Sequence, residues 1–337
     1  MQPYKIIKIS QVEKSLLSDF YRETYHKRYK SLTNNWRWWY RAGHNNFEPL
    51  ILLLDNKVIG QAGLLPIDLN IFEKKIQAIY FVDFAILPKY QRRGFGQILS
   101  KEWMKICPNQ ITFCNDKSLK VFKKLGWNND LSTKRLSKPI NILKFLPVIK
   151  SLRLNFIDQS LRYFIRKRYK TKIVISPYKI SGNFKIIEDS FVKKNNFNNT
   201  GLAEIIRDEK WLHWRLIECP YNKDIYFFEY KNTFAIVHIF KVENIKKLNI
   251  LFTYSTNKSI ENDLFKQITN WAINNEIDLV WMINRNIKID NAFPKIFTKS
   301  INFASWSADK KISDTLGKGL FDPQGIDSDI DSSLYIE

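Results

Sequence analysis

Apolar and polar residues alternate along the chain in patterns that predict strands and helices. Residues 4–10 (YKIIKIS) alternate as a strand does, and residues 11–26 repeat apolar positions at helical spacing. Asp55-Asn56-Lys57, between two apolar runs, predicts a hairpin. The further elements predicted in this part are a helix near 33–42, strands at 50–54, 57–70, 76–87 and 110–114, and helices near 97–106 and at 116–125.

A second pattern of the same order, but of different sequence, begins near residue 183. Its predicted elements are strands at 184–188, 225–230, 233–242, 247–254 and 278–283, and helices within 200–217, at 259–274 and near 290–298. The chain is therefore expected to be α/β (α+β), with one domain over 1–138 and a second over 179–337 that ends in an acidic tail.

Residues 139–178 differ from both patterns because they mix apolar and basic residues and contain a single acid, Asp158. This predicts a helical connector with an apolar face and a cationic face. We expect the apolar face to pack on a neighbouring domain. The alternative is a surface helix that contacts an anionic membrane.

Composition excludes several classes of protein. With 45% hydrophobic and 26% charged residues, the chain is not disordered as a whole. Its net charge of +21 favours anionic partners, such as nucleic acid, acidic lipid or phosphate-bearing small molecules. The basic residues are spread along the chain, with one concentration at 162–172, and a chain rich in Lys, Ile and Asn is basic through its composition alone. The charge therefore does not mark a nucleic-acid surface, and we expect no nucleic-acid partner.

The three cysteines have no CxxC spacing, which predicts neither a metal site nor a disulfide framework. No apolar run approaches the roughly 20 residues of a membrane span, and the opening MQPYKIIKIS lacks a signal-peptide core. We therefore expect a cytoplasmic protein. The sequence predicts no particular oligomeric state.

A basic loop with two glycines follows the strand that ends before Pro88. Gly94 and Gly96 leave backbone amides bare, the next helix adds its positive end, and Arg92 and Arg93 add charge. The spacing is neither GxxxxGK[ST] nor GxGxxG after an N-terminal strand, so a P-loop and a dinucleotide fold are disfavoured. These residues alone leave a phosphate site and an ordinary basic turn equally open.

Context favours the phosphate site. Gln91-Arg92-Arg93-Gly94-Phe95-Gly96 fills the pattern Q/R-x-x-G-x-G/A, VDFAILPKY precedes it, and FCNDKSLKVFKKLGW follows it. In these features the sequence resembles the GCN5-related N-acetyltransferase (GNAT) superfamily. The downstream positions that match this superfamily are Asn115, Lys123, Leu125, Gly126 and Trp127. The resemblance covers residues 3–137 with motifs, and 183–310 by element order alone.

The resemblance implies two tandem acyl-CoA N-acyltransferase-like domains, each a mixed, mostly antiparallel sheet flanked by helices. It implies acetyl-CoA as acyl donor, with its pyrophosphate on the amides of 91–96, its pantetheine along Phe84, Ala85 and Ile86, and Asn115 touching it from the next strand. A strand amide would polarise the acetyl carbonyl. An amine would attack the thioester directly, without a metal.

Asp83 is the leading candidate for the base that deprotonates the amine, because it is a carboxylate within an apolar strand. Burial there would make it a better base. The competing interpretation is a structural aspartate that closes a buried hydrogen bond. Asp68, Glu48 and His44 are weaker alternatives.

The resemblance also places Phe122 among the cofactor-binding residues, but it departs from the family pattern, in which a tyrosine at this position protonates the leaving thiolate. Tyr80, Tyr90 or water could serve instead, the thiolate could leave unassisted, or the domain could bind acyl-CoA without turnover.

The second domain lacks the basic loop: its stretch FTYSTNKSIENDLF contains no glycine, which predicts a degenerate repeat without cofactor. WLHWRLIECPYNKDIYFF is weakly similar to tandem acetyltransferase-like proteins encoded with bacterial surface-polysaccharide enzymes. That similarity implies an amino-sugar acceptor, perhaps nucleotide-linked. The alternatives are a peptide, polyamine or antibiotic amine, or a non-catalytic CoA-sensing or nucleic-acid-binding module.

Overall fold

The computed structural model describes most of the chain outside the connector and the extreme C-terminal residues. It covers residues 4–26, 28–145, 175–180, 203–220, 222–242, 244–255, 257–284, 297–318 and 321–325, with a few single positions between 160 and 189.

Fifteen strands lie within these residues. They are β1 (Tyr4–Lys8), β2 (Leu50–Leu54), β3 (Lys57–Ile71), β4 (Lys74–Ile86), β5 (Asn109–Cys114), β6 (Asn128–Asp130), β7 (Lys134–Pro139), β8 (Tyr178–Lys179), β9 (Glu204–Ile205), β10 (Ile225–Tyr230), β11 (Thr233–Val242), β12 (Ile245–Tyr254), β13 (Leu279–Asn284), β14 (Thr298–Ser300) and β15 (Asn302–Ser307).

Seven α-helices are described with them. They are α1 (Lys14–Thr24), α2 (Tyr29–Trp39), α3 (Phe95–Met104), α4 (Asp116–Lys124), α5 (Glu209–Leu212), α6 (Lys258–Asn274) and α7 (Lys310–Gly317). A π-helical turn, His213–Ile217, continues α5.

The first sheet has the strand order β1-β2-β3-β4-β5-β15-β6, and β9 pairs with β3. Its strands are antiparallel except for the parallel pair β4 and β5. Apolar residues of α1 and α2 pack on one face, among them Phe20 and Leu32, while Leu99 of α3 and Phe122 of α4 pack on the other. The sheet is thus covered by helices on both faces.

The second sheet has the order β14-β7-β13-β12-β11-β10-β8, with β12 and β13 parallel. Leu264, Phe265 and Ile268 of α6 pack on it in one buried cluster with Val237 and Leu248. Another cluster is shared between the sheets, since it holds Phe234 and Phe252 together with Tyr21 and Tyr80. The two sheets therefore form one body with a continuous core.

Each sheet also borrows a strand from the other half of the chain. β7, which precedes the connector, pairs with β13, and β15, from the C-terminal part, lies between β5 and β6. The domain limits at 138 and 179 stay a prediction, but backbone ladders cross from each half into the other.

The predicted fold class, two mixed sheets flanked by helices, is confirmed. The predicted strand at 184–188 is wrong where it can be checked, since Lys185 and Glu188 are helical. The helix expected within 200–217 begins only at Glu209, after β9. Most of the connector, most of the acidic tail and most of the helix expected near 290–298 lie outside the described residues.

Candidate functional site

A β-bulge interrupts β4 near its C-terminal end. Two of its residues, Asp83 and Phe84, lie opposite one residue of β3, Ala62, and Asp83 takes the left-handed conformation with φ of 47°. The extra residue resets the alternation, so Phe81 and Phe84 both pack on the α3 and α4 face. The bulge thereby turns Asp83 towards α2.

Beyond the middle of the sheet, β4 and β5 diverge. They are paired at Ile79–Gln110 and Tyr80–Ile111, and the Thr112 hydroxyl then donates to the Phe81 carbonyl at 2.7 Å. A cavity of about 200 Å³, here called the splay cavity, lies between the separated strands. Its lining consists of Tyr25, Phe81, Val82, Asp83, Phe84, Thr112, Phe113, Cys114, Asn115, Ser118 and Phe122.

A larger open cleft of about 1070 Å³, here called the outer cleft, adjoins this cavity. The two share Phe84, Asn115 and Ser118 in their linings. The outer cleft is lined as well by Glu23, Thr24, His26, Ala85, Ile86, Pro88, Gln91, Arg92, Gly94, Gly96, Gln97, Lys117, Lys120, Val121, Lys124 and Leu125. It therefore runs from the basic loop to the point where β4 and β5 separate.

The loop is shaped to expose amides. Arg92 and Gly94 both have positive φ, 62° and 85°, and Gly94 is the N-cap of α3 without a side chain to occupy the helix amides. Successive amides in such a conformation, together with a helix N-terminus, form an anion nest. The Gln91 side chain donates to the Ile86 carbonyl at 2.8 Å and ties the loop to β4.

Two predicted cofactor residues have side chains elsewhere. The Arg93 guanidinium lies 5.8 Å from the ring centre of Tyr90, and the Phe95 ring is buried against Tyr4 and Tyr90. Neither lines the outer cleft. The buried ring of Phe95 leaves only its backbone amide available to a ligand in the loop.

Three lysines of α4 that sequence reasoning missed also line the outer cleft. Lys117, Lys120 and Lys124 share one helix face, because residues three and four apart are neighbours on a helix. Asn115 starts this helix, its Oδ1 accepting from the Ser118 amide at 2.9 Å. The pattern K-x-x-K-x-x-x-K after Asn115 is the signal that would have found them. Phosphate groups suit such a face.

Asp83 lies in a buried ion pair. Arg28 donates to both of its oxygens, at 2.9 and 3.1 Å, and the two side chains are 3% and 8% exposed. Trp39 Nε1 and the Tyr40 hydroxyl also donate to Oδ2, at 2.7 and 3.2 Å. Oδ2 thus accepts three hydrogen bonds and Oδ1 one. Asp83 therefore closes buried hydrogen bonds, as the structural interpretation expects.

The hydrogen-bond network continues behind Asp83. Gln61 donates to the Tyr40 hydroxyl at 2.6 Å and accepts from the Tyr21 hydroxyl at 2.7 Å. Burial is the main cause, and the Asp83 charge the second, that raises the pKa of both Tyr21 and Tyr40 far above the usual range of a tyrosine. Both phenols therefore stay protonated donors that hold α1 and α2 against the bulge.

The weaker base candidates lie away from the splay cavity. Asp68 is six positions along β3 from Ala62, about 20 Å at the usual strand rise, and pairs with Lys75 at 2.9 Å. Glu48 accepts from the Ser10 amide, and burial lowers the pKa of His44. None of the three lines the splay cavity or the outer cleft.

The candidates for the proton donor change too. Phe122 is 1% exposed and packs against Trp127, and neither Tyr80 nor Tyr90 lines either space. Tyr25, the C-cap residue of α1, does line the splay cavity. Sequence reasoning missed it, because its position continues the apolar face of a helix.

Cys114 lines the same cavity. Burial, followed by the nearby Asp116 charge, raises the pKa of its thiol to about 12. The thiol is therefore neutral at physiological pH.

At the corresponding junction of the second sheet, a side chain caps the first amides of the helix. Asn257, the N-cap of α6, accepts with its side chain from the amides of Ser259 and Ile260. These amides are already satisfied, whereas those of α3 are not capped by a side chain.

Within the described ranges, no three His, Cys, Asp or Glu side chains are grouped so that they could hold a metal ion. No helix in that part of the chain is long and apolar enough to cross a membrane.

Residues 11–127 match the model of the Acetyltransferase (GNAT) family. Among curated proteins, none matches the sequence. Solved structures are similar over most of the chain. A GCN5-related N-acetyltransferase from Kribbella flavida has a TM-score of 0.60 at 8% identity, covering 92% of this chain and 72% of that one.

Two further structures show the same similarity. A GCN5-related N-acetyltransferase from Anabaena variabilis has a TM-score of 0.56 at 12% identity, with 90% and 72% covered. Saccharomyces cerevisiae N-myristoyltransferase with bound myristoyl-CoA has a TM-score of 0.58 at 11% identity, with 91% and 78% covered. The chain thus has the fold of GNAT-type acyltransferases, and its residues 11–127 carry the sequence pattern of the GNAT acetyltransferase family.

Proposed function

We propose that the protein is an N-acyltransferase that moves an acetyl group from acetyl-CoA to a primary amine. The observation that carries this proposal is the continuous path from the amide nest of 91–96, through the outer cleft, into the splay cavity beside the bulge. Its shape and charge suit a long ligand with phosphates at one end and a small reactive group at the other.

In this arrangement the CoA phosphates lie on the loop amides and face Lys117, Lys120 and Lys124. The pantetheine arm lies along Phe84, Ala85 and Ile86, where β4 has parted from β5. An amide near the bulge polarises the thioester carbonyl, as in an oxyanion hole.

The acceptor amine enters the splay cavity on the side of Asp83 and Tyr25. Asp83 Oδ1, which accepts one hydrogen bond from Arg28, has room to accept a second from the amine and to take its proton. Tyr25 supplies the hydroxyl that protonates the leaving thiolate in place of Phe122. The amine nitrogen bonds to the acyl carbon as the carbon–sulfur bond breaks, which yields an amide and CoA. The proton taken by Asp83 then passes to the Tyr25 phenolate, which restores both groups.

For the acceptor, an amino sugar of a surface polysaccharide, perhaps nucleotide-linked, is the leading candidate, and a peptide, polyamine or antibiotic amine is the alternative. The basic composition supports a phosphate-bearing acceptor. A cytoplasmic location and membrane contact through 139–178 belong to the same proposal. The exposed aromatic side chains of Tyr163 and Phe164, at 63% and 66%, support the proposed membrane contact.

The test combines calorimetric titration of the full chain with acetyl-CoA and a thiol-release assay over amino sugars, peptides and polyamines. We expect one site per chain and thiol release that depends on the amine. Binding without release for every amine would make the protein a CoA sensor. Absence of binding would refute the proposal.

A further inference from the structure

The splay cavity is too small for a long acyl chain. An apolar protein cavity of about 150 Å³ holds one benzene, a ligand of six carbons. At about 200 Å³, the splay cavity is only slightly larger, and it must also admit the thioester and the attacking amine. Space therefore remains for an acyl group of a few carbons.

Aromatic packing closes the apolar side of this cavity. The rings of Phe81 and Trp103 stack at 3.9 Å, and the Phe122 ring is 5.8 Å from Phe81, 6.0 Å from Trp103 and 4.8 Å from Trp127, centre to centre. Phe122 is the member of this cluster that both lines the cavity and comes from α4. Trimming its ring extends the cavity towards Trp127.

The opposite side offers no second route. There the wall is Asp83, Tyr25 and Val82, and the Asp83 carboxylate is held by Arg28. A hydrocarbon chain displaced to that side would lie against a buried ion pair, which leaves its carbon atoms without apolar partners. At the depth of the cavity, the bond from Thr112 to the Phe81 carbonyl joins the two strands.

We propose that Phe122 sets the acyl length, so that the donor is a short-chain acyl-CoA and long-chain acyl-CoA is excluded. This inference rests on the proposed function. It gives the residue that replaces the family's tyrosine a role of its own: the ring is a wall that selects the donor by size, not a proton donor.

The experiment measures Kd by calorimetry, and kcat/KM by thiol release, for acetyl-, butyryl-, octanoyl- and tetradecanoyl-CoA. One methylene too many in a closed pocket costs roughly 10–200-fold. We therefore expect octanoyl-CoA to be at least about tenfold poorer than acetyl-CoA in both quantities. Phe122→Ala should reduce that difference at least about tenfold, because octanoyl-CoA gains more from the added space than acetyl-CoA does.

Phe122→Leu is the milder variant, since it keeps more of the buried volume, and it should shift the preference in the same direction. Phe228→Leu is the matched control, because Phe228 is equally buried but lies in the second sheet. Equal affinity and turnover of acetyl- and tetradecanoyl-CoA by the wild type would overturn the inference alone. So would an unchanged ranking in both folded Phe122 variants. Failure of every acyl-CoA to bind would refute the proposed function as well.

Discussion

Replacing Asp83 by asparagine separates its structural part from its chemical part. The substitution keeps the shape of the side chain but takes the carboxylate charge of Asp83 away from the Arg28 guanidinium, which is 8% exposed. Removing one member of a buried ion pair costs about 3–5 kcal/mol, a large share of the roughly 5–15 kcal/mol that stabilises a native protein. Asp83→Asn should therefore lower the midpoint of denaturant unfolding as well as the activity.

If Asp83 also takes the proton of the amine, its loss should reduce kcat/KM by about 10²–10⁴. This is roughly 3–5 kcal/mol of barrier at about 1.4 kcal/mol per tenfold. The defect should shrink as pH rises, because more of the free amine is then already deprotonated. Acetyl-CoA affinity, measured by calorimetry, should change little.

The double variant Asp83→Asn with Arg28→Met distinguishes the two parts. It also removes the buried cation that has lost the Asp83 carboxylate, so most of the lost stability should return. Activity should not return with it. Recovery of kcat/KM in parallel with stability would show that Asp83 acts only by holding the bulge.

A buried acid elsewhere provides the control. Asp278 is fully buried and pairs with Lys144 at 2.8 Å, in contact with the second sheet. Asp278→Asn should lower stability while leaving kcat/KM and its pH profile intact.

Gly94→Asp should reduce acetyl-CoA affinity at least about tenfold in a folded protein, the loss expected for one hydrogen bond to a charged group, because φ of 85° and bare amides are both needed there. Unchanged affinity by calorimetry would contradict the loop assignment. Lys120→Glu and Lys124→Glu should each raise the Kd for acetyl-CoA and weaken its salt dependence, whereas Lys123→Glu, which lies off the outer cleft, should not. Titration should give one acetyl-CoA per chain, because the first amides of α6 are capped by Asn257. Two sites per chain would contradict this reasoning. Burial raises the pKa of the Cys114 thiol to about 12, so its alkylation at pH 8 should be slow, and slower still with acetyl-CoA bound. Mass spectrometry of the alkylated protein over time measures this rate.

Local sequence was enough to predict the shape of the loop at 91–96 and the start of α4. The loop QRRGFG lies where a strand ends and a helix begins. Glycine at position 94 permits a left-handed N-cap and leaves the helix amides without a side-chain cap. Asn115 likewise marks the start of α4, because asparagine is a preferred N-cap residue. These features depend on residues a few positions apart, so the sequence by itself determined them.

The surroundings of Asp83 were decided only by tertiary structure. The stretch FVDFAI is apolar on both sides of Asp83, so its alternation does not reveal which residue is bulged or which face the carboxylate joins. Its partner Arg28 lies 55 residues away, and Tyr25 enters the splay cavity from another helix. The same holds for β7 and β15, since strands far apart in sequence pair only where the core of the folded chain brings their edges together.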